Sequence, residues 1–338
     1  MIRVAINGFG RIGRSFLRLA SMDPDIDLVA INDLGSLENF AYLLKYDSVY
    51  GQAPFSVEMG NGGLKVGGKD ITFLSEKDPS QLPWQRLGVD VVVESTGFFT
   101  DYEKAQAHIT AGAKRVVISA PSHSDSPLGA TVLMGINEEA LRTCQITSNG
   151  SCTTNASSPL IAILDTAIGI EKAVLTTTHS YTSTQALVDG PTKGHDLRKG
   201  RAAAQNIVPT STGAAVAVTK AYTALQGNFD GIALRVPVAA GSITDITFIA
   251  KKPTSVAEVN AALKQASTDP RWNGIFTVTE EQLVSSDIVG QPYASIADLN
   301  MTRVVGGTLV KVLAWYDNES GYTHALLRHV KTAGAQLS

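Results

Sequence analysis

The chain has 338 residues, 44% of them hydrophobic, a formal net charge of −3 and two cysteines. That length suits two domains better than one core. The near-even charge argues against a dedicated nucleic-acid or membrane-surface binder, and two cysteines cannot form a disulfide framework. Apolar runs such as "VDVVVES" fall far short of the about 20 residues that span a bilayer. "MIRVAINGFG" lacks a basic stretch followed by an apolar one, so no secretory signal and a reducing, cytoplasmic location are expected.

Residues 2–7, "IRVAIN", read as a buried strand. Gly8-Phe9-Gly10-Arg11-Ile12-Gly13 follows, a G-x-G-x-x-G, and then a helical stretch with Ile12, Phe16 and Leu19 on one face. "DLVAIN" (27–32) reads as a second strand that ends at Asp33. Each part has a physical task. Gly8 permits a tight turn, Gly10 lets backbone approach a pyrophosphate, and Gly13 lets helix and strand pack closely. The helix N-terminus offers free N–H groups to phosphate. Asp33 would accept from ribose hydroxyls and repel a 2′-phosphate, which favours NAD over NADP. Without the full strand–glycine–helix–strand–acid order, the glycines would be an ordinary turn and Asp33 a strand-end residue.

Residues 89–97 read as another buried strand, 101–113 as a helix and 114–122 as a further strand. Alternating strands and helices predict a doubly wound α/β domain. Thr96, Gly97 and Ser119 fall at strand ends, where they either line a cofactor groove or are plain loop residues.

Cys152 lies in "SNGSCTTNASSP", before an apolar stretch that fits a helix of three to four turns. With Ser151 or a neighbouring hydroxyl as cap, Cys152 sits in the first turn, where free N–H groups lower a thiol pKa. The competing reading, a small buried hydrophobe, suits Cys144 better. A thiolate needs a base. His108 reads as a helix-surface residue, and His123 and His195 as solvated loop residues. His324 and His329 lie on different faces of the last helix, so no metal site is expected. His179, where the strand "AVLTTT" opens into a polar loop, is either a general base or a hydrogen-bonded structural histidine. Residues 182–213 read as a long irregular loop carrying Lys193, Arg198, Lys199 and Arg201, a composition that suits phosphate. Arg235, inside the apolar strand "FDGIALRVPV", needs either an anion or a carboxylate partner.

"NGFGRIGR", "SCTTN", "HSYT", "DGP", "STGAA", "RVP" and "WYDNESGY" come in one order along nearly the whole chain. Together they resemble the phosphorylating glyceraldehyde-3-phosphate dehydrogenases. The resemblance implies a Rossmann-type cofactor domain (1–151 and 318–338). It also implies an α+β catalytic domain with a mostly antiparallel sheet (152–317) and a long loop at 182–204. It makes Cys152 the nucleophile and His179 the base, acting through a thiohemiacetal and a thioester that inorganic phosphate cleaves. Thr182 and Arg235 match the site for the substrate's phosphate. Ser151, Thr153, Thr212 and Gly213 match that for the attacking phosphate, with Arg198 near both. Arg11 and Ile12 would offer backbone N–H groups to the cofactor pyrophosphate. Lys77 and Ser119 would add cofactor contacts, Asn318 would hold the nicotinamide carboxamide and Tyr322 would pack near its ring. The partners implied are a phosphorylated aldehyde, inorganic phosphate and further copies of the chain in a homotetramer, with no nucleic acid and no membrane.

The sequence departs from that family's pattern at Ala156, at Ser320 and at 238–241 ("VAAG"); Ser320 bears on cofactor affinity. Gly190-Pro191 matches the NAD-using members. Two rivals stand. Erythrose-4-phosphate dehydrogenases share the cysteine and histidine, but Thr182 and Asp33 are of the glyceraldehyde-3-phosphate type. A non-catalytic binding protein of the same fold would have no need of every catalytic position.

Overall fold

"IRVAIN" becomes β1 (Ile2–Asn7), buried from its third residue onward. It pairs in parallel with β2 (Ile26–Asn32) on one side and with β8 (Val91–Glu94) on the other. The computed structural model describes residues 1–338 except Asn61, His123, Lys193, Gly194 and Ser338. His123 and Lys193, considered above, therefore lie outside the described residues. The chain divides into two units, Met1–Gly150 with Thr323–Ser338, and Ser151–Tyr322. Asn318 and Tyr322 thus belong with the second unit, whereas the sequence reading grouped 318–338 with the first.

The first unit is built on a nine-stranded sheet. Besides β1, β2 and β8 it contains β5 (Val57–Gly60), β6 (Gly63–Val66), β7 (Lys69–Leu74), β9 (Arg115–Ile118), β10 (Gly129–Thr131) and β11 (Ile146–Ser148). The order is β10-β11-β9-β8-β1-β2-β7-β6-β5, parallel from β10 to β7 and antiparallel at the β6–β5 edge. A separate short ribbon pairs β3 (Tyr46–Asp47) with β4 (Gly51–Gln52). The helices are α1 (Arg11–Ala20), α2 (Leu37–Lys45), α3 (Tyr102–Thr110) and most of α7 (Ser320–Ala335). Strands β8 and β9 are buried at every position, as parallel strands with both faces covered must be. That is why Val91, Val92 and Val93 follow one another without alternation, as do Val116, Val117 and Ile118. The strand order reverses at β1 and β8, and ligands of such sheets bind beyond the carboxyl ends there.

His108 corrects the sequence reading. It is fully buried. Trp84 Nε1 donates to its Nδ1 (3.0 Å), so the proton of the neutral ring sits on Nε2, which faces Glu94 Oε2 at 3.1 Å. Asn7 Nδ2 donates to the same oxygen at 2.6 Å. Glu94 Oε1 accepts from the Thr96 N–H at 2.8 Å, so this buried network holds the loop after β8. The partners lie far along the chain, and helix periodicity alone hid them.

The second unit holds a seven-stranded sheet: β12 (Ile170–Ser180), β13 (Val208–Ser211), β14 (Phe229–Val236), β15 (Ser242–Ala250), β16 (Phe276–Thr279), β17 (Ser295–Val305) and β18 (Leu309–Tyr316). The order is β13-β14-β12-β15-β18-β17-β16, mostly antiparallel, with parallel pairs at β12–β14 and β16–β17. α4 (Cys152–Ala167), α5 (Ala214–Ala221) and α6 (Val256–Ser267) pack with these strands. Residues 182–213, expected to be irregular throughout, contain a 3-10 turn at Leu197–Gly200 and end in β13.

Candidate active site

In the first unit the glycines do three different things. Gly8 has φ +95°, and a Cβ there would lie 2.5 Å from the Thr96 backbone nitrogen. A Cβ on Gly13 would lie 2.2 Å from the Gly8 carbonyl oxygen, which is the close helix–strand approach. A Cβ on Gly10 would meet no protein atom within 4 Å. Gly10 is the N-cap of α1, with no side-chain cap and no acidic residue in the first turn. An anion at the N–H groups of Arg11 and Ile12 would have no carboxylate beside it in that turn. The Arg11 guanidinium turns instead to Asp47 Oδ2 at 2.6 Å.

A groove of about 500 Å³ opens beside this turn. Gly8, Gly10, Asp33, Lys77 and Thr96 line it, whereas Arg11, Ile12 and Gly13 do not. Gly97 and Ser119 are not among its lining residues. Asp33 is already engaged: its Oδ2 accepts from the Phe9 N–H at 2.6 Å and its Oδ1 from the Gly35 N–H at 3.0 Å. The carboxylate therefore ties the glycine turn to the end of β2 at the wall of the groove. Leu34 and Phe98 were missed. Both line the groove, and both are exposed (62% and 77%), an unfavourable state for apolar rings and chains unless something flat covers them. Their positions, next to Asp33 and Gly97, were the available signal. These residues fit a dinucleotide: open backbone at Gly10, an acid at the second strand end and apolar walls.

In the second unit Ser151 caps α4, its Oγ accepting from the Thr154 N–H at 3.1 Å. Cys152 is the first helical residue and half-buried. Its Sγ lies 3.2 Å from His179 Nε2. His179 stands near the end of β12, in parallel register with Arg235 of β14, so the two side chains share a face. Arg235 Nη1 lies 2.6 Å from His179 Nδ1 and donates to the Ser180 carbonyl at 3.1 Å. No carboxylate among the described residues pairs with Arg235, so the salt-bridge reading falls away. Tyr316 sits beneath, its ring edge-on to His179 and its hydroxyl bonded to Thr153 Oγ1 (2.9 Å) and Thr177 Oγ1 (2.7 Å).

Burial pushes the Cys152 thiol up, and this outweighs the pull of the Arg235 charge and of the Thr153 hydroxyl and N–H. Burial thus outweighs the lowering expected from the helix N-terminus. Burial, and then the Arg235 charge, push His179 down to about 3 against the Ser180 carbonyl. The resting pair is a thiol beside a neutral imidazole.

Other predicted residues are more loosely placed. The Thr153 hydroxyl bonds Tyr316, and its backbone N–H faces the Cys152 thiol. Thr182 bonds Thr184, Thr212 Oγ1 accepts from the Ala214 N–H, and Arg198 Nε donates to Asp196. None of these, nor Gly213, is hydrogen-bonded to the Cys152–His179–Arg235 group. Asn318 Oδ1 accepts from Ser180 Oγ (2.7 Å), Ser242 Oγ (3.0 Å) and the Gly241 N–H (3.2 Å). The amide is therefore fixed with its NH₂ group left to donate. Gly241, with φ +88°, lies in the 238–241 stretch and donates its N–H to Asn318. Tyr322 is buried. Cys144 is half-buried, not the buried hydrophobe expected. Among the described residues no group of three His, Cys, Asp or Glu could hold a metal.

Known proteins share this construction. Residues 2–102 match the family model described as glyceraldehyde 3-phosphate dehydrogenase, NAD binding domain, and residues 151–318 match its C-terminal domain. The glyceraldehyde-3-phosphate dehydrogenase of Clostridium pasteurianum is 46% identical over 97% of both chains. That of Streptomyces coelicolor is 46% identical and that of Mycobacterium avium 48%, each over 99% of both chains. The chain belongs to the glyceraldehyde-3-phosphate dehydrogenase family.

Proposed function

We propose that the protein oxidises D-glyceraldehyde 3-phosphate to 1,3-bisphosphoglycerate with NAD and inorganic phosphate. The observation that carries this is the Cys152 Sγ–His179 Nε2 contact of 3.2 Å at the head of α4, beside an arginine that no carboxylate among the described residues pairs with. Sγ attacks the aldehyde carbon as its proton passes to Nε2, Nε2 returns that proton to the oxygen, and the adduct is a thiohemiacetal. The Cys152 backbone N–H and the His179 ring face the oxygen that gains charge. His179 then takes the hydroxyl proton, leaving a thioester on Sγ. Bound NAD supplies the hydride acceptor for that oxidation. Inorganic phosphate attacks the thioester carbon, the C–S bond breaks, and Sγ regains a proton from His179. Arg235 and Thr182 would hold the substrate's phosphate. Ser151, Thr212, Gly213, the Thr153 N–H and Arg198 would serve the attacking one. In the cofactor site, the N–H groups of Arg11 and Ile12 would serve the pyrophosphate, Asp33 the ribose, and Lys77 and Thr96 would add further contacts. Asn318 would donate to the carboxamide, and Tyr322 would back its ring.

The work is cytoplasmic, and the unit at work is a homotetramer. Supporting the second point, Val174, Ile232 and Leu309 share one face of the second sheet and are 58%, 52% and 41% exposed. The test is NADH formation with and without inorganic phosphate. Sustained turnover only with phosphate is the expected result. Equal turnover without phosphate, or a clear preference for the four-carbon erythrose 4-phosphate, would sink the reading.

A further inference from the structure

Arg235 and Ser180 make incompatible demands on one nitrogen. His179 Nδ1 lies 2.6 Å from Arg235 Nη1 and 2.7 Å from the Ser180 carbonyl oxygen. A guanidinium only donates and a carbonyl only accepts. If Nδ1 is bare, it accepts from Arg235 and confronts the carbonyl lone pair. If Nδ1 is protonated, it donates to Ser180 and confronts the arginine N–H. The two tautomers turn opposite faces to the thiol 3.2 Å away. With Nδ1 bare, the proton sits on Nε2, which then cannot act as a base. With Nδ1 protonated, Nε2 presents its lone pair to Cys152.

We propose that Arg235 gates the base: it holds His179 in the Nε2–H tautomer until an anionic group at the far end of the aldehyde draws the guanidinium away. Nε2 then gives its proton to water while Nδ1 takes one from water and donates in a hydrogen bond to the Ser180 carbonyl, and Nε2 is left free for proton abstraction. The proton count of the ring does not change; only its position does. This rests on the proposed reading of a phosphorylated aldehyde and deepens it. The remaining groups that face the ring are Cys152 from α4 and Tyr316 from β18, and neither reaches Nδ1. Among the described residues nothing acidic holds Arg235 in place, so an arriving anion meets no carboxylate there. The Arg235 charge also contributes to pushing His179 down, and neutralising it raises the basicity of the ring. The substrate's phosphate therefore acts on the rate of acylation as well as on binding, and an unphosphorylated aldehyde meets a masked base.

The test is the first-turnover burst of NADH with D-glyceraldehyde, without inorganic phosphate and with added phosphite, in wild type and Arg235→Met. Phosphite should raise the wild-type burst rate by at least about tenfold. Arg235→Met, which lacks the donor, should begin near the activated rate and ignore phosphite. A second measurement needs no turnover. In enzyme labelled with ¹⁵N-histidine, the His179 Nδ1 signal, assigned by its loss in His179→Asn, should move from bare to protonated on adding glycerol 3-phosphate. The gate is overturned if phosphite leaves the wild-type burst unchanged, if it activates Arg235→Met equally, or if Nδ1 is protonated throughout. In those cases a normal burst with glyceraldehyde 3-phosphate leaves the substrate reading standing. No burst with that compound overturns both.

Discussion

The groove beyond β1 and the site around Cys152 both prepare for negative charge, and they do so with opposite materials. The first relies on backbone: three glycines and the open N-terminus of α1, all within residues 8–13, with Asp33 bracing the turn. The second relies on side chains drawn from α4, β12, β14 and β18, namely Cys152, His179, Arg235 and Tyr316. A site built of backbone is damaged by adding atoms, and a site built of side chains by removing them. The same substitution size should therefore have opposite consequences in the two places.

The largest effects belong to the second site. Cys152→Ala should lower turnover by about 10⁴-fold or more, and His179→Asn by about 10²–10⁴-fold, with NAD affinity little changed. Steady-state NADH formation and calorimetric NAD titration would separate the two. A Cys152→Ala enzyme that kept a tenth of its turnover would remove the thiol from the reaction.

Adding one methyl group tests the first site. Gly8→Ala forces a side chain onto φ +95° and drives a Cβ to 2.5 Å from backbone, so a loss of about 2–5 kcal/mol in stability is expected. Gly10→Ala, with nothing within 4 Å, should melt like wild type yet bind NAD roughly tenfold more weakly. Unchanged NAD binding in Gly10→Ala would mean that the pyrophosphate lies elsewhere.

The contrast also explains what sequence alone could disclose. The groove was legible because its parts are local: a strand, a turn, a helix and an acid within the first 33 residues. The second site was legible only in pieces. Cys152 was marked by its polar neighbours and Arg235 by its apolar strand. The register that sets Arg235 beside His179 exists only once β12 and β14 pair. Tyr316 bonds Thr153 across 163 positions, and Ser180 bonds Asn318 across 138, separations that no periodicity reports. The thiol pKa was misjudged for a related reason. A helix N-terminus can be read locally, but the burial that outweighs it is a property of the folded sheet.

In each region one buried imidazole is pushed far below the usual histidine range, and the pH dependence of stability separates the two. His329, in the first unit, donates from Nδ1 to Asn149 Oδ1 (3.0 Å) and accepts at Nε2 from Thr147 (2.8 Å); burial alone pushes it down to about 3. His179 is pushed to about 3 by burial together with the Arg235 charge. An unfolded histidine binds a proton below about pH 6.5, whereas these two stay neutral in the fold until about 3. The unfolded chain therefore holds more protons in that window, and stability falls as pH drops through it. Each group contributes at most about 1.4 kcal/mol per pH unit. Urea unfolding between about pH 6.5 and 5 should show a shallower slope in His329→Gln than in wild type. Glycerol 3-phosphate, by neutralising Arg235, should flatten the part due to His179 and leave the part due to His329 untouched. A slope in His329→Gln equal to that of wild type would mean that this imidazole is already protonated in the fold.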